Sequence, residues 1–502
     1  MKKQEYQNPV IKGFHPDPSI CIVGDDAYIV NSTFEYFPGV PIFHSKDMVD
    51  WEQIGHCLTD EKQLCLDNCK RSSGGIYAPS IRYNNGRFYM ITTNICDKGN
   101  FIVHTDDING KWSEPFWIDH KGIDPSLLFD GDKVYFCGTG PDDNKKSAII
   151  LFEINPDTGE VLSEKKAISY GTGGKYPEGP HIYHIGDYYY LMLAEGGTEY
   201  GHYETIQRSA SVWGPYEKCP YNPIISNRDN MNSRVQCTGH ADLAMDKNGN
   251  WWACCLGVRK LKNGLMHNLG RETFVAPVTW KDAWPFVAED GNIYEKMSAD
   301  LPSNICKNKS IDFKDDFSSK DLDLNWTFIR KKEKDRYIVK DNSLTICGSD
   351  NDLHDLFPSF VGVRQKEFCM TAETTLKLKD LNKIGKAGIT ALQCKEHFFA
   401  LEISKQNGQC VASLQKRVMD MDCVRQSLVL NAEEEITLRI ETNESEYIFS
   451  VCDAYGWHEI GKGKTVALCT ETTSPNTFTG VFIALFAVDT NATFKKFSLV
   501  TA

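Results

Sequence analysis

Along the first three hundred residues the apolar positions show little helical periodicity. Instead, a glycine turn followed by an aromatic-rich strand occurs five times: Gly24-Asp25-Asp26-Ala27-Tyr28, Gly86-Arg87-Phe88-Tyr89, Gly131-Asp132-Lys133-Val134-Tyr135, Gly186-Asp187-Tyr188-Tyr189 and Gly249-Asn250-Trp251-Trp252. Each reads as a tight hairpin turn feeding a β-strand. The final aromatics of successive units lie 46 to 63 residues apart. That leaves room for about four short strands per unit, the blade of a β-propeller. The pattern predicts five blades.

Around Leu301-Pro302-Ser303-Asn304 the repeat stops, and a polar stretch, Lys307-Asn308-Lys309-Ser310, follows. Asp315-Asp316-Phe317 and Leu324-Asn325-Trp326 then open a region of alternating strands, such as Ala387-Gly388-Ile389-Thr390-Ala391-Leu392 and Phe398-Phe399-Ala400-Leu401-Glu402-Ile403. Short strands without a strong helix predict a jelly-roll β-sandwich. The chain is therefore all-β, with a propeller over 1–305 and a sandwich over 306–502.

Charge and composition narrow the partners. The 502 residues carry 55 Lys and Arg against 68 Asp and Glu, a formal charge of −13. Such a surface repels phosphate, which argues against nucleic acid or an anionic membrane as the main partner. No uncharged stretch approaches the roughly 18 residues that span a bilayer. Met1-Lys2-Lys3-Gln4-Glu5-Tyr6-Gln7-Asn8 has no apolar run behind its lysines, so it does not read as a signal peptide, and a cytoplasmic protein is expected. The 18 cysteines, among them Cys21, Cys137, Cys347 and Cys452, sit singly in apolar strands, which suggests buried, reduced thiols. Neither Cys254-Cys255 nor Cys65-x-x-x-Cys69 forms a paired zinc-ligand pattern. The sequons at Asn31 and Asn491 mean little in a cytosolic chain.

The repeat also sets a register. Eleven residues before each anchor aromatic stand Asp17, Ala78, Asp124, Glu178 and Ala241. If these segments open the innermost strands, Asp17, Asp124 and Glu178 converge at one mouth of the central channel. An Asp-Pro pair alone is a turn initiator. Three converging carboxylates cost stability unless they serve a purpose. Glycosidic hydrolysis needs one carboxyl to protonate the leaving oxygen and one carboxylate to activate water or attack the sugar; a third can tune the donor. The longer Glu178 suits the acid and the stiff His15-Pro16-Asp17-Pro18 segment suits a base, but residue chemistry alone leaves the roles open.

At these residues the chain resembles the family 43 glycoside hydrolases, and within them the two-domain β-xylosidases. The matching stretches include Asn8-Pro9-Val10-Ile11-Lys12-Gly13-Phe14-His15-Pro16-Asp17-Pro18-Ser19, Ser32-Thr33-Phe34-Glu35-Tyr36-Phe37-Pro38-Gly39-Val40, Gly74-Gly75-Ile76-Tyr77-Ala78-Pro79, Ile123-Asp124-Pro125-Ser126 and Tyr176-Pro177-Glu178-Gly179-Pro180. Ala194-Glu195-Gly196-Gly197-Thr198-Glu199-Tyr200-Gly201-His202, Thr238-Gly239-His240-Ala241-Asp242-Leu243 and Leu269-Gly270-Arg271-Glu272-Thr273-Phe274 follow in the family's order.

The resemblance implies an inverting hydrolase with Asp17 as general base, Glu178 as general acid, and Asp124 tuning and orienting that acid. It implies substrate contacts from Arg271 and Phe34. It places His240 beneath the site, orienting the acid–base network or facing a divalent cation such as calcium in the channel. Tyr77 stands where similar enzymes usually carry Trp, which loosens the sugar preference. The sandwich, concanavalin-like in similar enzymes, is expected to brace the propeller and to send Phe478 across to narrow the pocket.

The function so implied is exo-acting release of xylose from β-1,4-xylo-oligosaccharides, with no required cofactor. The nearest alternative is an α-L-arabinofuranosidase acting on arabinose-substituted oligosaccharides, or both activities together. A fructan hydrolase would need Asn-Asp-Pro-Asn and Arg-Asp-Pro motifs, which are missing. A non-catalytic sugar-binding propeller would not need all three carboxylates. Similar enzymes are often dimers or tetramers, so a homo-oligomer is expected.

Overall fold

The structure, a computed structural model, describes residues 3–303, 310–473 and 477–502. Its first part is five four-stranded antiparallel sheets in chain order. Blade I comprises Ser19–Val23, Asp26–Val30, Gly39–Ser45 and Glu52–Leu58; blade II comprises Ile76–Asn84, Arg87–Asn94, Gly99–Thr105 and Phe116–Trp117. Blade III comprises Ile123–Asp130, Lys133–Pro141, Ser147–Glu153 and Lys166–Ser169. Blade IV comprises Glu178–Ile185, Tyr188–Glu195, Tyr203–Ser209 and Glu217–Lys218, and blade V comprises Val235–Met245, Trp251–Arg259, Glu272–Lys281 and Trp284–Val287. The five repeat glycines sit in the turns between the first two strands with φ between 60° and 88°, a conformation open to glycine at no steric cost.

The first strands pack side by side around the axis. Apolar layers fill the space between blades, as where Tyr89, Ile91 and Ile102 of blade II meet Phe136 and Phe152 of blade III. One closure was not visible in the sequence. Gln4–Gln7 pairs with Lys296–Ala299 beyond blade V, and the Asn8 side chain exchanges hydrogen bonds of 3.0 and 3.1 Å with the Val275 backbone. This ties the start of the chain to the last blade.

The channel holds a second device whose pairings the sequence does not signal. Asp242 is fully buried and accepts hydrogen bonds from Ser19 Oγ (2.6 Å), Tyr183 Oη (2.5 Å) and both terminal nitrogens of Arg82 (2.8 and 3.1 Å). Burial alone would raise its pKa, but the Arg82 charge and these bonds outweigh burial and hold it well below the usual range. Blades I, II, IV and V are thus joined through one carboxylate.

The second part is a sandwich of two antiparallel sheets. One sheet runs Tyr337–Val339, Leu344–Cys347, Asn491–Thr501, Met370–Lys377, Glu435–Thr442, Glu446–Asp453 and Gly456–Lys464, with Phe313–Asp315 beside Asn491–Thr501. The other runs Phe360–Arg364, Phe482–Val488, Lys386–Cys394, His397–Gln406, Gln409–Val418 and Met421–Val429. Helical structure among the described residues is limited to three short 3-10 turns, and none is long and apolar enough to cross a membrane. The expected boundary at 305/306 lies outside the described residues.

The sandwich core continues into blades I and II through Phe37, Leu58, Leu64, Trp326 and Phe328. Phe328–Ile329 pairs with Tyr36–Phe37 of the propeller, and Tyr36 stacks on Phe482 at 4.1 Å. A shared apolar core of this kind fixes one part against the other. All 17 described cysteines carry free thiols. Cys21 and Cys137 are buried as expected, whereas Cys347 and Cys452, near strand ends, are half-buried.

Candidate active site

At one end of the channel Asp17, Phe34, Tyr77, Asp124, Glu178, His240, Arg271 and Phe478 line a single cavity of about 250 Å³. Every site residue expected from the sequence is there, drawn from all five blades and the sandwich. Side chains reach this mouth because the inner strands are interrupted just where they begin. Pairing registers shift between Tyr77 and Ser80, Ile123 and Ser126, and Glu178 and His181, and such bulges re-aim side chains.

The equal spacing of the three carboxylates does not hold. Blade IV closes its hairpin at Ile185 and Tyr188, so Tyr190, not Tyr189, matches Tyr28, Tyr89 and Tyr135. Gly179 therefore takes the position of Asp17 and Asp124, with φ of 58° beside their 52° and 55°. Glu178 projects from one residue earlier. In blade V the corresponding left-handed residue is His240, φ 48°, rather than Ala241.

Asp17 is 4% exposed, and both of its oxygens are engaged. Ser32 Oγ donates to Oδ2 at 2.6 Å and Arg271 Nη1 to Oδ1 at 2.8 Å. Arg271 Nη1 also donates to Thr198 Oγ1 at 3.0 Å, and its guanidinium lies 5.6 Å from the ring centres of both Phe34 and Phe478. The Arg271 Nε is buried without a protein partner.

The aromatic wall is a connected unit. Phe34 lies 5.1 Å from Tyr77 and 5.8 Å from Phe478, and Phe478 meets Tyr77 edge-on at 6.3 Å. Its strand bridge is reciprocal, Phe34 to Ile76 and back. Phe478 crosses from the sandwich, and its N–H donates to Ser73 Oγ at 2.8 Å. Gly270 and Gly480 allow that crossing, since a Cβ on Gly270 would stand 3.0 Å from the Gly480 backbone. Tyr77 Oη donates to the Ser73 carbonyl at 3.1 Å.

Burial, and after it the negative charge of Asp17, lift Glu178 from 4.5 to about 7, with Arg271 opposing. Burial, then Glu178 and Asp17, also raise Asp124 well above its usual range, although the Gly179 N–H donates to it at 3.3 Å. Asp124 and Glu178 are both held toward the protonated form, and the charge that lifts Glu178 is that of Asp17. The pair titrates as a unit that keeps a proton toward neutrality.

His240 packs its ring against Gly179, where a Cβ would stand 3.0 Å away. Burial keeps this imidazole neutral, pushing its pKa below the usual value. Among the described residues no three His, Cys, Asp or Glu side chains gather to hold a metal ion. The channel carboxylate Asp242 is matched by Arg82.

Sequence reading did not single out Ser32 and Thr198, which position Asp17 and Arg271, nor Tyr176, Gly197 and Glu199 on the cavity rim. Ser32, Thr198 and Glu199 lie within recognisable motifs, but nothing in their residue type distinguishes them from ordinary turn residues.

The family model described as glycosyl hydrolases family 43 matches residues 6–285, and that of the beta xylosidase C-terminal concanavalin A-like domain matches residues 314–499. A non-reducing end alpha-L-arabinofuranosidase of Bacteroides ovatus is 41% identical over 495 residues, 97% of this chain and 92% of that protein. A beta-xylosidase of Bacillus subtilis is 32% identical, covering 96% of each chain. Among solved structures, a xylan beta-1,4-xylosidase from Bacillus halodurans superposes with a TM-score of 0.93 at 29% identity, over 99% of this chain and 100% of that one.

Proposed function

The chain belongs to family 43 of the glycosyl hydrolases, and from that premise we propose that it is an inverting exo-glycosidase releasing xylose from the non-reducing ends of β-1,4-xylo-oligosaccharides. The observation that carries the reading is the small cavity narrowed by Phe478, with Phe34 and Tyr77 as walls and the carboxyl groups at its base. A pocket of this size admits a chain terminus and excludes a continuous chain.

In this mechanism Glu178 gives its proton to the glycosidic oxygen as the bond to the anomeric carbon breaks. Asp17, held by Ser32 and Arg271, takes a proton from a water that attacks the opposite face. Arg271 holds Asp17 through Nη1, and its guanidinium lines the cavity where a sugar hydroxyl would lie. Asp124 keeps the Glu178 carboxyl oriented from the side, and His240 backs Gly179. The apolar faces of Phe34 and Tyr77 suit a pyranose ring.

A second reading, release of terminal α-L-arabinofuranose, is supported by the Bacteroides ovatus relative and by a 40% identical xylosidase/arabinosidase of Butyrivibrio fibrisolvens. The same carboxylates serve both sugars. A proton NMR time course with xylobiose tests the proposal: α-xylose is expected as the first product. Early β-xylose would refute inversion. No release from xylobiose, with release from an arabinofuranoside, would favour the second reading.

A further inference from the structure

Behind the aromatic wall two thiols that the catalytic arrangement does not use face each other. Cys69 is fully buried in the segment leading to blade II, and Cys96 is half-buried in the turn after Arg87–Asn94. Their sulfurs meet across Gly74, where a Cβ would collide with both, and the two thiols interact directly. The Gly75 N–H donates to Cys96 Sγ at 3.1 Å, while Cys69 Sγ lies 3.7 Å from the Arg71 carbonyl oxygen.

These environments divide the chemistry. The Cys69 thiol, then the Gly75 N–H and the charges of Arg71 and Arg330, bring Cys96 down to about 7 against the opposing effect of burial. The same contact and burial push Cys69 far up. A thiolate on the more accessible sulfur beside a protonated partner is the arrangement thiol–disulfide exchange requires.

The pair is also mechanically linked to the pocket. Arg330 Nε donates to the Cys69 carbonyl at 2.7 Å, Ile95 N–H to the Gly75 carbonyl at 3.0 Å, and Ser73 holds both Tyr77 and Phe478. The segment from Cys69 to Tyr77 therefore carries the thiol at one end and the pocket wall at the other.

We propose that Cys69 and Cys96 are a redox-active pair that a low-molecular-weight disulfide oxidises, and that closing the Cys69–Cys96 bond weakens substrate binding by displacing the Tyr77–Phe478 wall. The Cys96 thiolate attacks one sulfur of glutathione disulfide, forming a mixed disulfide and expelling one glutathione thiolate. That thiolate takes the Cys69 proton. Cys69 then attacks the Cys96 sulfur and expels the second glutathione. Two protein thiols become one disulfide, and one glutathione disulfide becomes two glutathiones. The new bond of about 2.05 Å is shorter than any non-bonded sulfur contact, so Gly74 and its neighbours must shift. Displacements near 1 Å in a site cost up to about 100-fold in activity.

The test treats the full chain with glutathione disulfide, alkylates the remaining thiols, and maps peptides alongside kinetics on a nitrophenyl pentoside. The expected result is a Cys69–Cys96 cross-linked peptide and a KM raised about threefold or more, with kcat changing less, reversed by dithiothreitol. Cys96→Ser is expected to keep basal activity and lose both responses, and Cys69→Ser to stop at the glutathione adduct on Cys96. No cross-link after prolonged oxidation would overturn the proposal. So would a cross-link that leaves KM unchanged, or a Cys96→Ser protein whose KM still responds.

Discussion

Glu178→Gln isolates the proton donor. At pH 7 a glutamate at its ordinary value of 4.5 would be protonated in about 0.3% of molecules, whereas one at about 7 is protonated in about half. Burial and the Asp17 charge therefore raise the loaded fraction on the order of 150-fold. Removing the donor should cost about 10²–10⁴-fold in kcat/KM on xylobiose, whose sugar leaving group needs a proton. A nitrophenyl xyloside, whose leaving group needs none, should lose far less. Since the protonated form is the active one, wild-type kcat/KM on xylobiose should fall as pH rises through about 7. That alkaline limb should be absent for Glu178→Gln on the nitrophenyl substrate. Steady-state rates on both substrates from pH 5 to 9 measure each quantity. Equal losses on the two substrates would refute Glu178 as the acid, and an unchanged alkaline limb would refute the assignment of its pKa.

Asp17→Asn should abolish turnover for every leaving group, because the water loses its proton acceptor; substantial activity on either substrate would end the general-base assignment. Phe478→Ala removes a ring in contact with Phe34, Tyr77 and Arg271. With aromatic pairs worth about 0.5–1.5 kcal/mol each, the unfolding free energy should fall by about 1–3 kcal/mol, and because the ring narrows the pocket the KM for xylobiose should rise; an unchanged KM would remove Phe478 from the pocket. Asp242→Asn leaves Arg82 buried without its counter-charge and should cost about 3–5 kcal/mol, read from urea midpoints. The wild-type contribution should be present above about pH 4, the unfolded value, and be lost as pH falls toward the depressed folded one. A loss under about 1 kcal/mol would show that the channel network does not hold the blades together.

The blades were legible because hairpin turns are written locally: a Gly with an aromatic two to four residues later reports its own conformation. The carboxylates of the pocket were legible through their place in the repeat, and Arg271, Phe34, Tyr77, His240 and Phe478 through the resemblance to family 43 alone. Arg82 and Asp242 meet across 160 positions, and although Asp242 lies in the Thr238–Leu243 motif, nothing in the sequence points it to Arg82. The pairing of Tyr6 and Asn8 with the Val275 carbonyl, more than 260 positions along the chain, was invisible for the same reason. Counting a fixed interval back from an aromatic failed by one residue in blade IV because three aromatics run together there and only strand pairing tells which one anchors the hairpin.

That one-residue offset bears on the chemistry. A propeller relates its blades by rotation, so carboxylates at matched positions stand at similar radii and reach similar distances toward the axis. Asp17 and Asp124 are matched in this way. An inverting pair must instead reach opposite faces of one sugar carbon, the base through a water and the acid directly to the departing oxygen. Blade IV cannot place a side chain at the matched position, because His240 packs there against the bare Cα of Gly179. The acid comes from the preceding residue and carries one more methylene, while the Gly179 N–H binds Asp124. The repeat supplies the convergence of charge, and its local breakdown at Glu178 and Gly179 supplies the asymmetry that an acid and a base require.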